Sequence, residues 1–327
     1  MEEVLMKDVA EGPTQLDFLT VLKSRCERIF SESERLYNRL QAGEMGEQEV
    51  VHFFQRHGRE HWYFIRNYWA DMNGTFESDL ILITRYAIYI FEVKNYTGLF
   101  EYNEGLSTIN GADITSDCVF QARRSSKNLR KMLSALVGAK NVRGALVFIG
   151  ADNEIHIQSR VEDITILQRN QLMRFVQKIA ADEDAMRYGK SIDVGAVVRR
   201  LQQFQIGNPF TFEPLTKEQM KLVRTGICCA HCGRFDVDIS RKFVKCPCGC
   251  VELRDEAMVR TICDYGVLRF DEQLRRDDLY HFFGGQSSKR NLTNILTAHF
   301  EATNAGKYTC YTHHRRPYHK VKQLYTF

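Results

Sequence analysis

The chain has 327 residues, 44% of them hydrophobic and 26% charged, with 21 Gly and 5 Pro. That composition excludes collagen-like, low-complexity and disordered classes and provides for a sizeable core, spread over two or three domains. A formal charge of +4 is too small to announce a nucleic-acid partner, so the placement of charge must carry any such argument. The opening MEEVLMKDVAEGPTQLDFL is acidic, with no basic end leading into an apolar core, and no apolar run approaches the roughly 18 residues of a membrane span. A soluble, cytoplasmic protein without membrane contact is expected.

Residues 1–40 read as an N-terminal helical segment: Phe18, Leu22, Ile29, Leu36 and Leu40 recur at helical intervals among charges, predicting one long or broken amphipathic helix over 15–40. A second helix is expected after Gly43, from about Glu44 to Arg56. The period then changes. WYFIRNYW, FESDLILIT and YAIYIFEVK are short Ile-, Tyr- and Phe-rich runs, hence three strands, and TGLFEYNEGLSTIN reads as a hairpin bending at its glycines. A helix over 117–137 carries Leu129, Met132, Leu133, Leu136 and Val137 on one face, and VRGALVFIG is a buried strand. Helix, three strands, helix, strand is an α/β order. Short strands (EIHIQ, ITIL) and helices near 169–181 and 192–205 complete a domain expected over 41–207. NPFTFEPLTKEQM, with two of the five prolines, marks a linker over 208–227. A cysteine-rich module over 228–252 and an α+β segment over 253–327 follow, the latter with helices over 274–283 and 288–303 and a terminal strand pair turning at His314–Pro317.

The most informative stretch is FESDLILITRYAIYIFEVKNYTG. With Arg85 and Tyr86 at the tip of a tight hairpin, Thr84 faces Ala87, Asp79 faces Glu92, and Glu77 faces Lys94. Asp79, Glu92 and Lys94 then converge on one patch, among apolar positions that suit strands covered on both faces. Two carboxylates there are costly without a cation, and hard oxygen ligands suit Mg²⁺ or Mn²⁺. Such a cation activates water and neutralises charge on phosphorus, while an ammonium beside it orients the attacking hydroxide. The same triplet also arises as a structural ion-pair cluster at a strand end.

These residues resemble the nuclease-related domain (NERD) family of the PD-(D/E)XK nuclease superfamily. The resemblance rests on Gly46-Glu47, Glu77-Ser-Asp79, the block IYIFEVKNYTG (88–98) and Gln121, over roughly residues 40–150. It implies an αβββαβ restriction-endonuclease-like core, with helices flanking a mixed sheet. In that core Asp79 and Glu92 bind metal, Lys94 assists the water, Glu47 completes the acidic site and Gln121 lies near the scissile phosphate. Glu77 departs from the pattern, which has an uncharged polar residue there. Arg123, Lys127 and Arg130 follow at helical spacing, either tracking a nucleic-acid backbone or forming a solvated face.

Six of the ten cysteines fall within 228–250. Cys229-x₂-Cys232 and Cys246-Pro-Cys248 suit a structural, four-coordinate Zn²⁺ in a ribbon, with Cys250 or Cys228 as substitutes and His231 as an outside possibility. The C-terminal segment interleaves Lys307, Arg315, Arg316, Lys320 and neighbouring histidines with tyrosines. It is either a nucleic-acid grip, on a small helical domain with a β wing in winged-helix style, or a solvated basic hairpin. The expected activity is hydrolysis of DNA, less so RNA. The rivals are a non-cleaving nucleic-acid-binding or adaptor protein, and a nuclease working only with a protein partner docked on the zinc or C-terminal module.

Overall fold

The computed structural model describes residues 13–72, 74–114, 117–186, 189–209, 212–303 and 309–312. The chain divides into two compact units, one over 1–9 and 40–209 and the other over 10–39 and 210–327. In chain order, helices α1 (Gln15–Arg25) and α2 (Glu27–Phe30) precede α3 (Glu34–His57). Next come strands β1 (Tyr63–Asp71), β2 (Thr75–Ile83), β3 (Ile88–Lys94), β4 (Gly98–Asn103), β5 (Leu106–Ile109) and β6 (Ala112–Asp113). Helix α4 (Cys118–Leu133), strands β7 (Val142–Phe148), β8 (Asn153–Ile157) and β9 (Ile164–Gln168), and helices α5 (Leu172–Ala185) and α6 (Val194–Phe204) close the first unit.

Its main sheet has the order β1-β2-β3-β7-β9, antiparallel through β3 and parallel beyond it, with α4 in the crossover from β3 to β7. The αβββαβ core is therefore present. Leu80, Leu82, Tyr89, Phe91 and Val93 pack with Val50 and Phe54 of α3 and Phe175 and Ile179 of α5. Ile81, Ile83, Ile88 and Ile90 pack with Leu129 and Met132 of α4 and Leu201 of α6. Both faces are covered, as near-continuous apolar strands require. A smaller sheet, β6-β5-β4-β8, joins through Phe100 and Phe148. Its turns Glu104-Gly105 and Asn110-Gly111 have positive φ at both residues, the geometry that closes a two-residue hairpin.

The break expected at Gly43 is absent: α3 runs unbroken through Gly43 and Gly46. Glycine costs about 1 kcal/mol in a helix, but packing overrides it here. A Cβ on Gly46 would meet Asn95 Cβ and Ile149 Cγ2, each at 2.9 Å, so this glycine lets α3 lie against the strand ends. Asn95 Nδ2 then donates to the Ala42 carbonyl at 2.8 Å.

In the second unit, α7 (Lys217–Met220) precedes a small sheet of β10 (Asp238–Ile239), β11 (Phe243–Lys245) and β12 (Val251–Leu253). Helix α8 (Arg254–Leu268), strand β13 (Leu274–Arg275), helices α9 (Arg276–Phe282) and α10 (Lys289–His299), and strands β14 (Glu301–Ala302) and β15 (Cys310–Thr312) follow. The sheet order β13-β15-β14, antiparallel throughout, follows the helix–strand–helix–helix–strand–strand order that winged-helix modules share. The sequence reading has no helix at 254–268, because α8 is buried on every side from Ala257 to Leu268 and so offers no polar stripe. The helix expected over 288–303 stops at His299, where the chain turns into β14. The turn expected at His314–Pro317 lies outside the described residues.

Two fully buried arginines organise this unit. Arg25 pairs with Asp264 at 2.7 Å and donates to the carbonyls of Arg224 and Gly226 at 3.1 and 3.0 Å. Arg260 pairs with Glu252 and donates to the Cys228 carbonyl, both at 2.7 Å. Removing one partner of such a pair strands a buried charge, which costs more than the pair itself contributes. Asp264→Ala and Arg25→Met are each expected to lower stability by roughly 3–5 kcal/mol in chemical denaturation. Losses below about 1 kcal/mol, the level of an exposed pair, would contradict this role.

Candidate metal and active sites

The hairpin of β2 and β3 pairs Ile83 with Ile88, Leu82 with Tyr89, Ile81 with Ile90 and Leu80 with Phe91. At its tip Thr84 N–H donates to the Ala87 carbonyl at 2.9 Å. This is the expected register, but it stops one rung short of the expected Asp79–Glu92 pair. There the Asp79 carboxylate replaces the strand: its Oδ2 accepts from Val93 N–H at 2.6 Å. The ladder to β1 also lapses here, since pairing runs from Arg66–Leu80 to Tyr68–Ser78 and skips Asn67–Asp79. Asn67 has φ +48°, a left-handed conformation that asparagine tolerates better than most residues. Beyond it the inside-outside alternation slips: Tyr68 and Phe76 share a core with Ile65 and Ile81, positions that a strict two-residue period puts on opposite faces. Asp79 thus sits where both neighbouring ladders open.

Lys94 Nζ lies 2.7 Å from Glu92 Oε1. Burial works against the Lys94 ammonium, yet Glu92 and Asp79 outweigh it and hold the lysine above its ordinary range. Burial first, then Glu92, Glu47 and Glu77, push the Asp79 carboxyl well up. Glu47 is raised to about 7 by burial and by Glu44 and Glu92, against the opposing pull of Arg66 and Lys94. Glu77 is raised to about 8 by burial, Glu92 and Glu47. Four carboxylates and one lysine therefore share a poorly solvated pocket. Asp79 Oδ1, Glu92 Oε2 and both oxygens of Glu47 and Glu77 accept no hydrogen bond from the described residues.

Gln121 lies one turn into α4, after Asp117 caps the helix by accepting from Phe120 N–H at 3.0 Å. Its Oε1 is buried and has no hydrogen-bond partner among the described residues. Cys118, one turn earlier, feels the charges of Lys94 and Glu92. Excess negative charge with open carboxylate oxygens fits a hard divalent cation. The acidic oxygens do not converge as tightly as the thiols described below, the one set among the described residues whose ligand atoms all lie within 4.8 Å.

Sequence reading missed Asn67, Arg66 and Tyr96. Arg66 lies 3.9 Å from Glu44 and opposes the rise of Glu47, and Tyr96 lies close enough to Lys94 for each to shift the other. The strand YFIRNYWAD carries no periodic signal that sets Asn67 apart, since polar Arg66 stands beside it. Of the basic helix positions, Arg123 pairs with Asp163 at 2.7 Å and Arg130 donates to the Val142 carbonyl at 2.9 Å. Lys127 is exposed, with no ion pair among the described residues. Arg315, Arg316, Lys320 and Lys307 lie outside the described residues.

In the second unit Cys229, Cys232, Cys246 and Cys248 bring their sulfurs together. Cys229 and Cys248 are 3.6 Å apart, Cys232 and Cys246 3.5 Å. A tetrahedron with Zn–S bonds of about 2.3 Å has S···S edges of about 3.8 Å, so the set fits one zinc ion. Two turns build it. Gly233 N–H donates to the Cys229 carbonyl at 3.1 Å and Gly249 N–H to the Cys246 carbonyl at 3.0 Å, each glycine at positive φ. Cys250 contributes its backbone carbonyl, which accepts from Cys246 N–H at 2.9 Å, and its sulfur stays outside the set, as do Cys228 and His231.

A mixed sheet flanked by helices in αβββαβ order is consistent with a PD-(D/E)XK-like core. Residues 42–149, about a third of the chain, match the family model of the nuclease-related domain. No curated protein matches the chain, and no solved structure does. Among the described residues no helix is long and apolar enough to cross a membrane.

Two measurements test these sites. Elemental analysis should find one zinc per chain, lost in Cys229→Ser and Cys246→Ser and retained in Cys250→Ser; loss in Cys250→Ser would refute the ligand set. Carboxyls raised to about 7 and about 8 from 4.5 stabilise the fold least when ionised. Without added Mg²⁺ or Mn²⁺, their contribution to stability should be fully present below about pH 4.5 and be lost as pH rises from there to about 7–8, on the order of 3–5 kcal/mol per group. Thermal melts should show this decline flattened by Glu77→Gln and reversed by Mn²⁺. A midpoint rising with pH over that window would contradict the assignment.

Proposed function

We propose that the chain is a metal-dependent nuclease hydrolysing phosphodiester bonds, of DNA in preference to RNA. The observation that carries this reading is the opened hairpin end, where Asp79, Glu92 and Lys94 meet. Asp79 and Glu92 would hold a Mg²⁺ or Mn²⁺ ion, with Glu47 completing the shell. When bound, the cation supplies Lewis acidity and charge neutralisation at the phosphoryl group. Lys94, held as an ammonium by Glu92, is too basic to abstract a proton near neutrality. Its part is to orient the attacking water and stabilise the charge that develops on phosphate oxygens. Gln121, with a buried and unpaired Oε1, accepts a hydrogen bond from that water or from the substrate. Arg315, Arg316 and Lys320, with Lys127, add cations for the phosphate backbone, and the cysteine module is a structural zinc ribbon.

Purified protein should nick plasmid in Mg²⁺ or Mn²⁺, with Glu92→Ala and Lys94→Ala each reducing the rate roughly 100-fold or more. Parallel reactions on single-stranded DNA and RNA rank the substrates. Folded wild type that binds DNA in a salt-dependent way but never cuts would favour a non-cleaving binding or adaptor protein. Cutting that starts only with a protein partner would make the site part of a larger assembly.

A further inference from the structure

The winged-helix module carries a face that the catalytic reading leaves unused. Helix α10, KRNLTNILTAH, buries Leu292, Ile295 and Leu296 and is capped by Ser288, which accepts from Asn291 N–H at 3.2 Å. Directly opposite, at spacings of four and three, lie Arg290, Asn294 and Thr297, all exposed. Arg290 and Asn294 form no hydrogen bond or ion pair within the described residues. Thr297 has one contact, its hydroxyl 3.4 Å from the Tyr311 hydroxyl. The helix contains no carboxylate, and its exposed face has no apolar side chain larger than Ala298.

A surface meant for a protein partner concentrates aromatic and aliphatic side chains at its centre. This one offers a guanidinium, a carboxamide and a hydroxyl, the groups that bond in pairs to guanine and adenine edges and singly to either. Seven residues of helix rise about 10 Å, roughly three base pairs of duplex, and a helix of this width enters the major groove. In helix-turn-helix modules generally, the second helix of the pair docks there while the first lies against the backbone. Here those positions belong to α10 and α9. Lys289 at the start of α10 is tethered to Asp277 of α9 by a 2.7 Å ion pair, which links the two helices.

We propose that α10 is a reading helix for duplex DNA, with Arg290 and Asn294 contacting base edges in the major groove. The inference rests on the nuclease reading only in taking DNA as the substrate, and it makes the chain sequence-selective in where it binds.

The test separates the two readings. Full-length Glu92→Ala protein, disabled in cleavage, is put through selection from a randomised duplex library. If that variant does not fold, wild type in Ca²⁺ takes its place. A short motif of about three to four base pairs should emerge. Arg290→Ala and Asn294→Ala, both exposed and free to accept alanine, should each relax one motif position, lowering the preference for selected over scrambled duplex by roughly 5- to 150-fold. Binding to scrambled duplex should change little. Three outcomes would overturn the proposal: no motif, variants indistinguishable from the parent, or equal weakening on every sequence with a shallower salt dependence, the mark of phosphate contact alone. None of these depends on whether wild type cuts plasmid.

Discussion

The hydrogen bond from Val93 N–H to Asp79 Oδ2 governs the candidate active site. A two-residue tip at Arg85 and Tyr86 fixes the register of β2 and β3, and apolar pairs carry it rigidly as far as Leu80 and Phe91. One step on, a side chain takes the place of a backbone acceptor and the strands part. Backbone polar groups inside a protein must be satisfied. The fold meets that demand with a carboxylate, opening the sheet without leaving Val93 unpaired. The gap lets Glu47 from α3, Glu77 and Asp79 from β2 and Glu92 and Lys94 from β3 share one small volume.

The electrostatics follow from that crowding. One ammonium stands against four carboxylates where water is scarce, so the acids rise and the lysine stays charged. Such a pocket is unfavourable by itself, and stability and cation affinity oppose each other in it: the repulsion that weakens the empty fold is what a divalent cation would relieve. Glu77 adds to this tension, since its charge raises Asp79 and feels Glu47 and Glu92.

Much of this was legible in sequence. Alternating aliphatic residues around a hairpin tip specify register, and register specifies which acids meet. The cysteine pairs specify their metal set because two short glycine turns leave few other geometries. The lapse opposite Asn67 was not legible, because a strand pattern carries no record of a left-handed residue that a tertiary fold imposes. Helix α3 passes through Gly43 and Gly46 because packing against the strand ends outweighs a local preference. Helix α8 escaped because periodicity reports contrast between two faces, and a helix buried all round has none. The pairing of Arg123 with Asp163 was equally hidden, forty residues of sequence separating the two.

The link between Arg25 and Asp264 spans 239 positions, and that separation sets an order of events during synthesis. At about 5–20 residues per second, Arg25 leaves the ribosome roughly 10–50 s before its partner. Residues 40–209 have everything they need to fold in that interval, while Phe18, Leu19, Val21 and Leu22 wait without the core that buries them. Those four apolar side chains therefore stay without their core while the chain elongates, and the demand for chaperone protection should be greater there than over residues 40–209.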